Sequence, residues 1–226
     1  PSDAGPGSHV PFVVRGSALA PNPVLVLSAV NTYQAYNNFG GKSLYDYNSI
    51  DDRAPKVSFD RPYLSHAGLG QPHFEQPFVT WFEGAGFSAD YATDVDLALS
   101  PSILDGHRLL IVVGHNEYWP PSTVQAVKAF ADSAGNVAVF GGNTCFWSAR
   151  YEDQGRTLVS YKSRHDPMWP DHPESTTVTW RDATLGYPEC LLFGVMYPYC
   201  GGTGSDSLLF TQPWSWITDG LESGRF

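Results

Sequence analysis

His115 and Glu117 stand two residues apart at the end of residues 108–119, RLLIVVGHNEYW. An imidazole titrates near neutral pH and a carboxylate is a ready proton acceptor or cation ligand, so the pair has the make-up of a reactive site. Its position matters as much. The apolar run of residues 109–113, with no polar break, reads as a parallel strand buried on both faces. In an open α/β sheet, ligands bind in the crevice outside the carboxyl ends of the strands. A plainer reading is a polar loop in which Glu117 caps the next helix.

Two further strands hand over to loops of the same character. Residues 24–30, VLVLSAV, run into a polar and aromatic stretch that contains Tyr36 and ends at Gly40-Gly41, a turn or close backbone approach. Residues 137–140, VAVF, run into GGNTCFW, which contains Asn143. Between these strands, the apolar residues at 74, 78, 81, 82 and 85 have helical spacing, and Pro77 predicts a helix start near Gln76. A short strand over 87–93 and a short helix over 94–104 follow. Pro120-Pro121-Ser122 opens an amphipathic helix over 122–134. Short apolar strands alternating with helices imply right-handed βαβ units and a parallel sheet. The carboxyl ends of parallel strands share one edge, so Tyr36, His115, Glu117 and Asn143 are expected to converge there.

The flanks differ from this core. Residues 10–14, VPFVV, read as an edge strand or an arm. Residues 42–70 show no period and are long for a structureless loop, which suggests an active-site insertion. Residues 150–226 are rich in Pro, Trp, Tyr and Gly, with a strand expected over 176–180, and read as a loop-rich extension over the sheet edge. The expected organisation is one α/β domain over 1–226, with its sheet core at about 24–149.

The totals fit a folded protein with a sizeable core: 226 residues, 42% hydrophobic and 14% aromatic. A net charge of −10 argues against a nucleic-acid partner or an anionic membrane surface. No apolar run approaches the roughly 18–20 residues of a spanning helix. The first ten residues lack the features of a signal peptide, and the chain does not begin with Met, so it reads as a processed or partial product.

Three cysteines, Cys145, Cys190 and Cys200, are too few for a disulfide framework and point to a reducing, cytoplasmic setting with free thiols. In an exported protein Cys190 could pair with Cys200. Cys145 could be a nucleophile, although a buried cysteine is more often a small hydrophobe. His165 and His172 lack zinc-site spacing and read as surface or pocket-wall residues. Walker A, GxGxxG and GxSxG patterns are absent.

Four separated motifs occur in one order: NTYQAYNNFGGKSLYDYNS, VSFDRPY, VVGHNEYW and VFGGNTCFWSARY, with GYPECLLFGVMY after them. Together they resemble the C-terminal domain of the large subunit of N,N-dimethylformamidase and its relatives, over residues 11 to about 226. The resemblance implies a three-layer α/β sandwich like the class I glutamine amidotransferase domain. It implies hydrolysis of a small, formamide-like amide at a mononuclear, ferric iron held by two tyrosines and a glutamate. Motif by motif, Tyr36 and Glu117 correspond to iron ligands, and His115 and Asn143 to the catalytic histidine and asparagine beside them. A phenolate and a carboxylate are hard anionic donors suited to such an ion. His115 would act as general base and Asn143 would donate to an oxyanion. The family pattern places its other iron tyrosine upstream of this chain and a further glutamate downstream, so a fragment or a shortened relative is expected; Tyr33, Tyr45 and Tyr47 are the candidates to substitute. A small subunit or a homo-oligomer is the implied assembly. The alternative is a non-catalytic relative whose crevice binds a small ligand or partner.

Overall fold

The computed structural model describes residues 12–17, 19–64 and 72–197. In chain order, β1 (Val24–Ser28) leads into α1 (Val30–Tyr36), then β2 (Lys56–Ser58), α2 (Pro72–Gly84), β3 (Asp90–Thr93), α3 (Asp94–Leu99) and β4 (Leu109–Val113). There follow β5 (Tyr118–Trp119), α4 (Pro121–Asp132), β6 (Asn136–Phe140), β7 (Trp147–Ser148), β8 (Arg150–Glu152), β9 (Thr157–Val159) and α5 (Cys190–Phe193).

The core is a parallel four-stranded sheet in the order β3-β1-β4-β6, with Leu25 opposite Asp90 on one side and Leu110 on the other. Alternation of side chains divides its residues between two faces. Val26, Ile111 and Val113 pack with Phe78 and Phe82 of α2. Leu25, Leu27, Leu110 and Val112 pack with Leu97 of α3 and Val124, Val127 and Phe130 of α4. Both faces of the central strands are therefore covered, which is why β1 and β4 are apolar without alternation. Leu27 is fully buried in the larger cluster. Leu27→Ala is expected to cost about 2–5 kcal/mol of stability, read as a lowered urea midpoint with unchanged slope.

The strand order reverses at β1. From β1 the chain crosses through α2 to β3 on one side, then returns through α3 to β4 on the other. The crevice between β1 and β4 is thus the topological switch point, the favoured ligand position in such sheets.

Several elements differ from the sequence expectation. The first part of the polar stretch after β1 is not a loop but helix α1, whose end is capped from outside: the Arg61 guanidinium donates to the carbonyls of Gln34 and Asn37, and also to that of Lys42 further along the chain. Helix α2 starts at Pro72, so Pro77 lies inside it, where packing of Phe78 and Phe82 on the sheet offsets one missing backbone bond. Strand β3 covers only Asp90–Thr93. The helix expected over 94–104 stops at Leu99, because Pro101 opens a separate 3-10 turn. No strand forms over 176–180; the Thr177 backbone N–H is taken by the Asp166 carboxylate, and one bridge, Trp147 to Thr179, is made. The described part of the expected arm, residues 12–14, is not a strand. The loop-rich extension does hold two short strands, β8 and β9, which pair antiparallel with each other; β9 also pairs antiparallel with β2 and so ties the 42–64 insertion to the domain.

Glu75 of α2 is buried beneath β1, where it accepts a hydrogen bond from the Ser28 hydroxyl at 2.5 Å. Burial raises its pKa from an ordinary 4.5 to about 7, against the opposing effect of its hydrogen bonds to Ser28 and Ala29. Between those values the native state keeps a proton that the unfolded chain has lost. Stability is therefore expected to fall as pH rises through this window, by up to about 3 kcal/mol from this group. Glu75→Gln, which retains the acceptor, should flatten that part of a stability-versus-pH curve.

Candidate active site

Glu117 follows β4, with its carboxylate almost wholly buried. It is held in place before any of its functional partners arrive: its backbone N–H donates to the Thr32 hydroxyl at 3.0 Å, and Asn31 donates to the Tyr118 carbonyl at 2.9 Å. Both partners lie on α1, so the ends of β1 and β4 are tied together at the switch point.

The carboxylate is the hub of the site. The Tyr36 hydroxyl donates to Oε1 at 2.8 Å and the Tyr45 hydroxyl to Oε2 at 2.5 Å. The Asn143 amide nitrogen donates to Oε1 at 2.9 Å, and His115 Nδ1 lies 3.8 Å from the same oxygen. A charged carboxylate only accepts, which fixes the Asn143 amide with nitrogen inward and leaves its Oδ1 buried with no partner among the described residues. Burial opposes the charge on Glu117, but the nearby His115 imidazole and hydrogen bonds from Tyr45, Asn143 and Tyr36 outweigh it and hold its pKa below the ordinary carboxylate value. The same burial, with the charge of Glu117, pushes both phenols far above their usual pKa, so without a metal they are neutral donors. Glu117 does not cap α4, whose first turn begins after Pro120 with no side-chain cap.

Each partner has its own support. Tyr36 ends α1 and its ring packs on that of Tyr45, centroids 4.4 Å apart. His115 is about one-third exposed and rests on the ring of Phe74. Asn143 lies at positive φ in the loop after β6. That loop is pressed against the one after β4: a Cβ on Gly141 would stand 1.8 Å from the Gly114 carbonyl oxygen. The two glycines let His115 and Asn143 approach the same carboxylate. A cavity of about 180 Å³ opens beside Asn143, lined by Gly142, Thr144, Phe193 and Met196. It is about six water volumes in size, enough for a molecule of a few heavy atoms. A cavity of about 760 Å³, lined by Asp90, Asp105 and His107, opens at the amino-terminal edge of the sheet, away from Glu117.

The structure thus brings three of the four expected residues, Tyr36, His115 and Asn143, to the carboxylate of the fourth, Glu117, and adds two from the flanks: Tyr45 on the carboxylate and Lys162 behind Tyr45. Tyr45 comes from the 42–64 insertion, and of the three substitute tyrosines it is the one that reaches Glu117. Lys162 comes from the segment after β9. Its ammonium lies 3.4 Å from the centroid of the Tyr45 ring and donates to the Leu44 carbonyl at 2.8 Å. Nothing in the local sequence, SYKSRHD, marks this lysine; only the pairing of β2 with β9 places it.

Other candidates fall away. Cys145 is fully buried in the main apolar cluster, and burial pushes its thiol well above the usual pKa, the opposite of an activated nucleophile. His165 and His172 are exposed. Cys200 lies outside the described residues, as does any pairing with it.

Among the described residues no three His, Cys, Asp or Glu side chains stand together as a metal site. The oxygen donors beside Glu117 are of a kind that suits a hard cation: a buried anionic carboxylate, a phenol on each of its oxygens, and a nearby amide oxygen with no hydrogen-bond partner among the described residues.

Comparison with known families decides the kinship. A profile described as N,N-dimethylformamidase beta subunit-like, C-terminal, matches residues 2–225. The chain belongs to this family. Among curated proteins none matches. Membership places the chain with a subunit related to an amide hydrolase. No helix among the described residues is long and apolar enough to cross a membrane.

Proposed function

We propose that the Glu117 centre binds a single ferric iron and hydrolyses a small, formamide-like amide. The observation that carries this reading is the carboxylate itself, buried, anionic and flanked by phenols at the switch point of a dimethylformamidase-family domain. The fold reading extends with it, to a three-layer sandwich of the class I glutamine amidotransferase kind.

Glu117 and Tyr36 would hold the metal, Tyr36 after losing its proton. Bound iron would supply Lewis acidity and lower the pKa of a bound water. The chain's own residues do the rest. His115 directs Nδ1 toward Glu117, which leaves Nε2 as the basic nitrogen. It takes a proton from the attacking water and returns it to the departing amine, so the amide and one water yield an acid and an amine. The second N–H of the Asn143 amide faces charge developing on the carbonyl oxygen. The small cavity beside Asn143 has room for a substrate of a few heavy atoms. As a beta-subunit-like domain, the chain would work against another subunit or another copy, in the cytoplasm.

The test is iron content with a visible spectrum, followed by release of dimethylamine from N,N-dimethylformamide. Near-stoichiometric iron and a tyrosinate charge-transfer band are expected. Protein from iron-replete cells that is folded and metal-free would overturn the reading. It would favour a second one, a non-catalytic binding domain, for which one observation speaks: three hydrogen bonds already satisfy the Glu117 carboxylate without a metal.

A further inference from the structure

Lys162 is an unusual residue for its surroundings. Its side chain ends among three aromatic rings, with Nζ 3.4 Å from the centroid of Tyr45, 5.1 Å from that of Trp147 and 5.3 Å from that of Tyr118. Such cages hold ligand cations; here the chain fills one with its own lysine side chain. Its backbone has φ of 56°, a conformation that non-glycine residues adopt when their surroundings over-determine it. The Leu44 carbonyl accepts one of its protons, so the segment after β9 is latched to the residue next to Tyr45. Tyr45 in turn bonds Glu117 Oε2, while the other oxygen receives Tyr36 and Asn143.

We propose that Lys162 is a positioning residue of the Glu117 site: seated on the Tyr45 ring and bound to the Leu44 carbonyl, it holds the Tyr45 phenol on Oε2 and so fixes the carboxylate's orientation. The chain of contacts runs from Lys162 through Tyr45 to Glu117, and each step is a direct contact. The placement of Tyr45 is a property of the protein without metal; only the consequence for affinity rests on the iron reading above.

Two measurements test it. In metal-free protein, the Tyr45 hydroxyl proton, bonded to a carboxylate and assigned by its loss in Tyr45→Phe, gives a downfield proton resonance. Lys162→Met should lose or shift it upfield and Lys162→Arg should retain it. In iron-loaded protein, competition with a chelator should show Lys162→Met binding iron roughly 10–100-fold more weakly, the usual effect of removing support behind a metal ligand, with partial recovery in Lys162→Arg. The sign is diagnostic. A lysine acting by charge alone repels a ferric ion, so its removal would tighten binding. Tighter iron binding, or an unchanged hydroxyl resonance in Lys162→Met, overturns the proposal. Should Lys162→Met not fold, Lys162→Gln keeps a donor for Leu44 but loses the cation on the Tyr45 ring, so it should show the same changes at smaller size; an unchanged hydroxyl resonance together with unchanged iron affinity there overturns the proposal. Wild-type protein that takes up no iron defeats the iron reading alone, and the resonance still decides the role of Lys162.

Discussion

Glu117→Ala is expected to abolish iron uptake and amide hydrolysis together. The substitution removes the one charged donor at the hub and leaves the hydroxyls of Tyr36 and Tyr45 and the amide of Asn143 aimed at an empty position. Loss of a direct ligand should exceed the effect of losing a supporting group, so affinity should fall by more than about 100-fold. Each buried donor left without an acceptor costs roughly 1–3 kcal/mol, partly offset because a buried charge is no longer desolvated. Glu117→Gln separates the two effects. It keeps the shape and one acceptor oxygen, so it should melt close to wild type and still fail to bind iron. Stoichiometric iron in either variant, measured by elemental analysis, would remove Glu117 from the ligand set.

Gly141→Ala should be nearly as severe, although it touches no reacting group. A methyl at this position meets the Gly114 carbonyl oxygen at 1.8 Å, and both partners are backbone, so no side-chain rotation relieves the clash. The loops after β4 and β6 must part by about 1 Å or more. A displacement of that size in a catalytic arrangement costs on the order of 100-fold in rate. Overpacking adds about 1–3 kcal/mol of destabilisation. The expected result is a folded protein with a lower melting midpoint, reduced iron and a collapsed kcat. Unchanged iron affinity would show that Asn143 and His115 are not held by this contact.

The sheet and the expected site were legible because each left a local trace. The apolar runs of β1 and β4 have no polar break, since both of their faces are covered, and this places their carboxyl ends without any knowledge of packing. Tyr36, His115, Glu117 and Asn143 follow from that placement and from the ordered motifs. What was not legible depends on partners distant in the chain. Residues 31–36 read as loop because their polar side chains bond across the switch point instead of facing solvent, as Asn31 and Thr32 do. The strand expected over 176–180 has apolar residues of the right type, but Asp166 takes a backbone donor that a ladder would need. Lys162 had no signal at all, because its meaning comes from three rings in three separate segments.

The spacing of the hub's partners ties metal loading to folding. Tyr36 and Tyr45 lie 81 and 72 residues before Glu117, and Asn143 lies 26 after it. An unfolded chain cannot gather these groups, so a metal bound to them binds the native state alone. By mass action, free metal at 1,000 times its Kd would add about 4 kcal/mol to the unfolding free energy. That is a sizeable fraction of a typical domain's total stability of about 5–15 kcal/mol. The colour of a tyrosinate-bound ion would then vanish in step with global unfolding, and the protein would carry its own optical gauge of folded fraction.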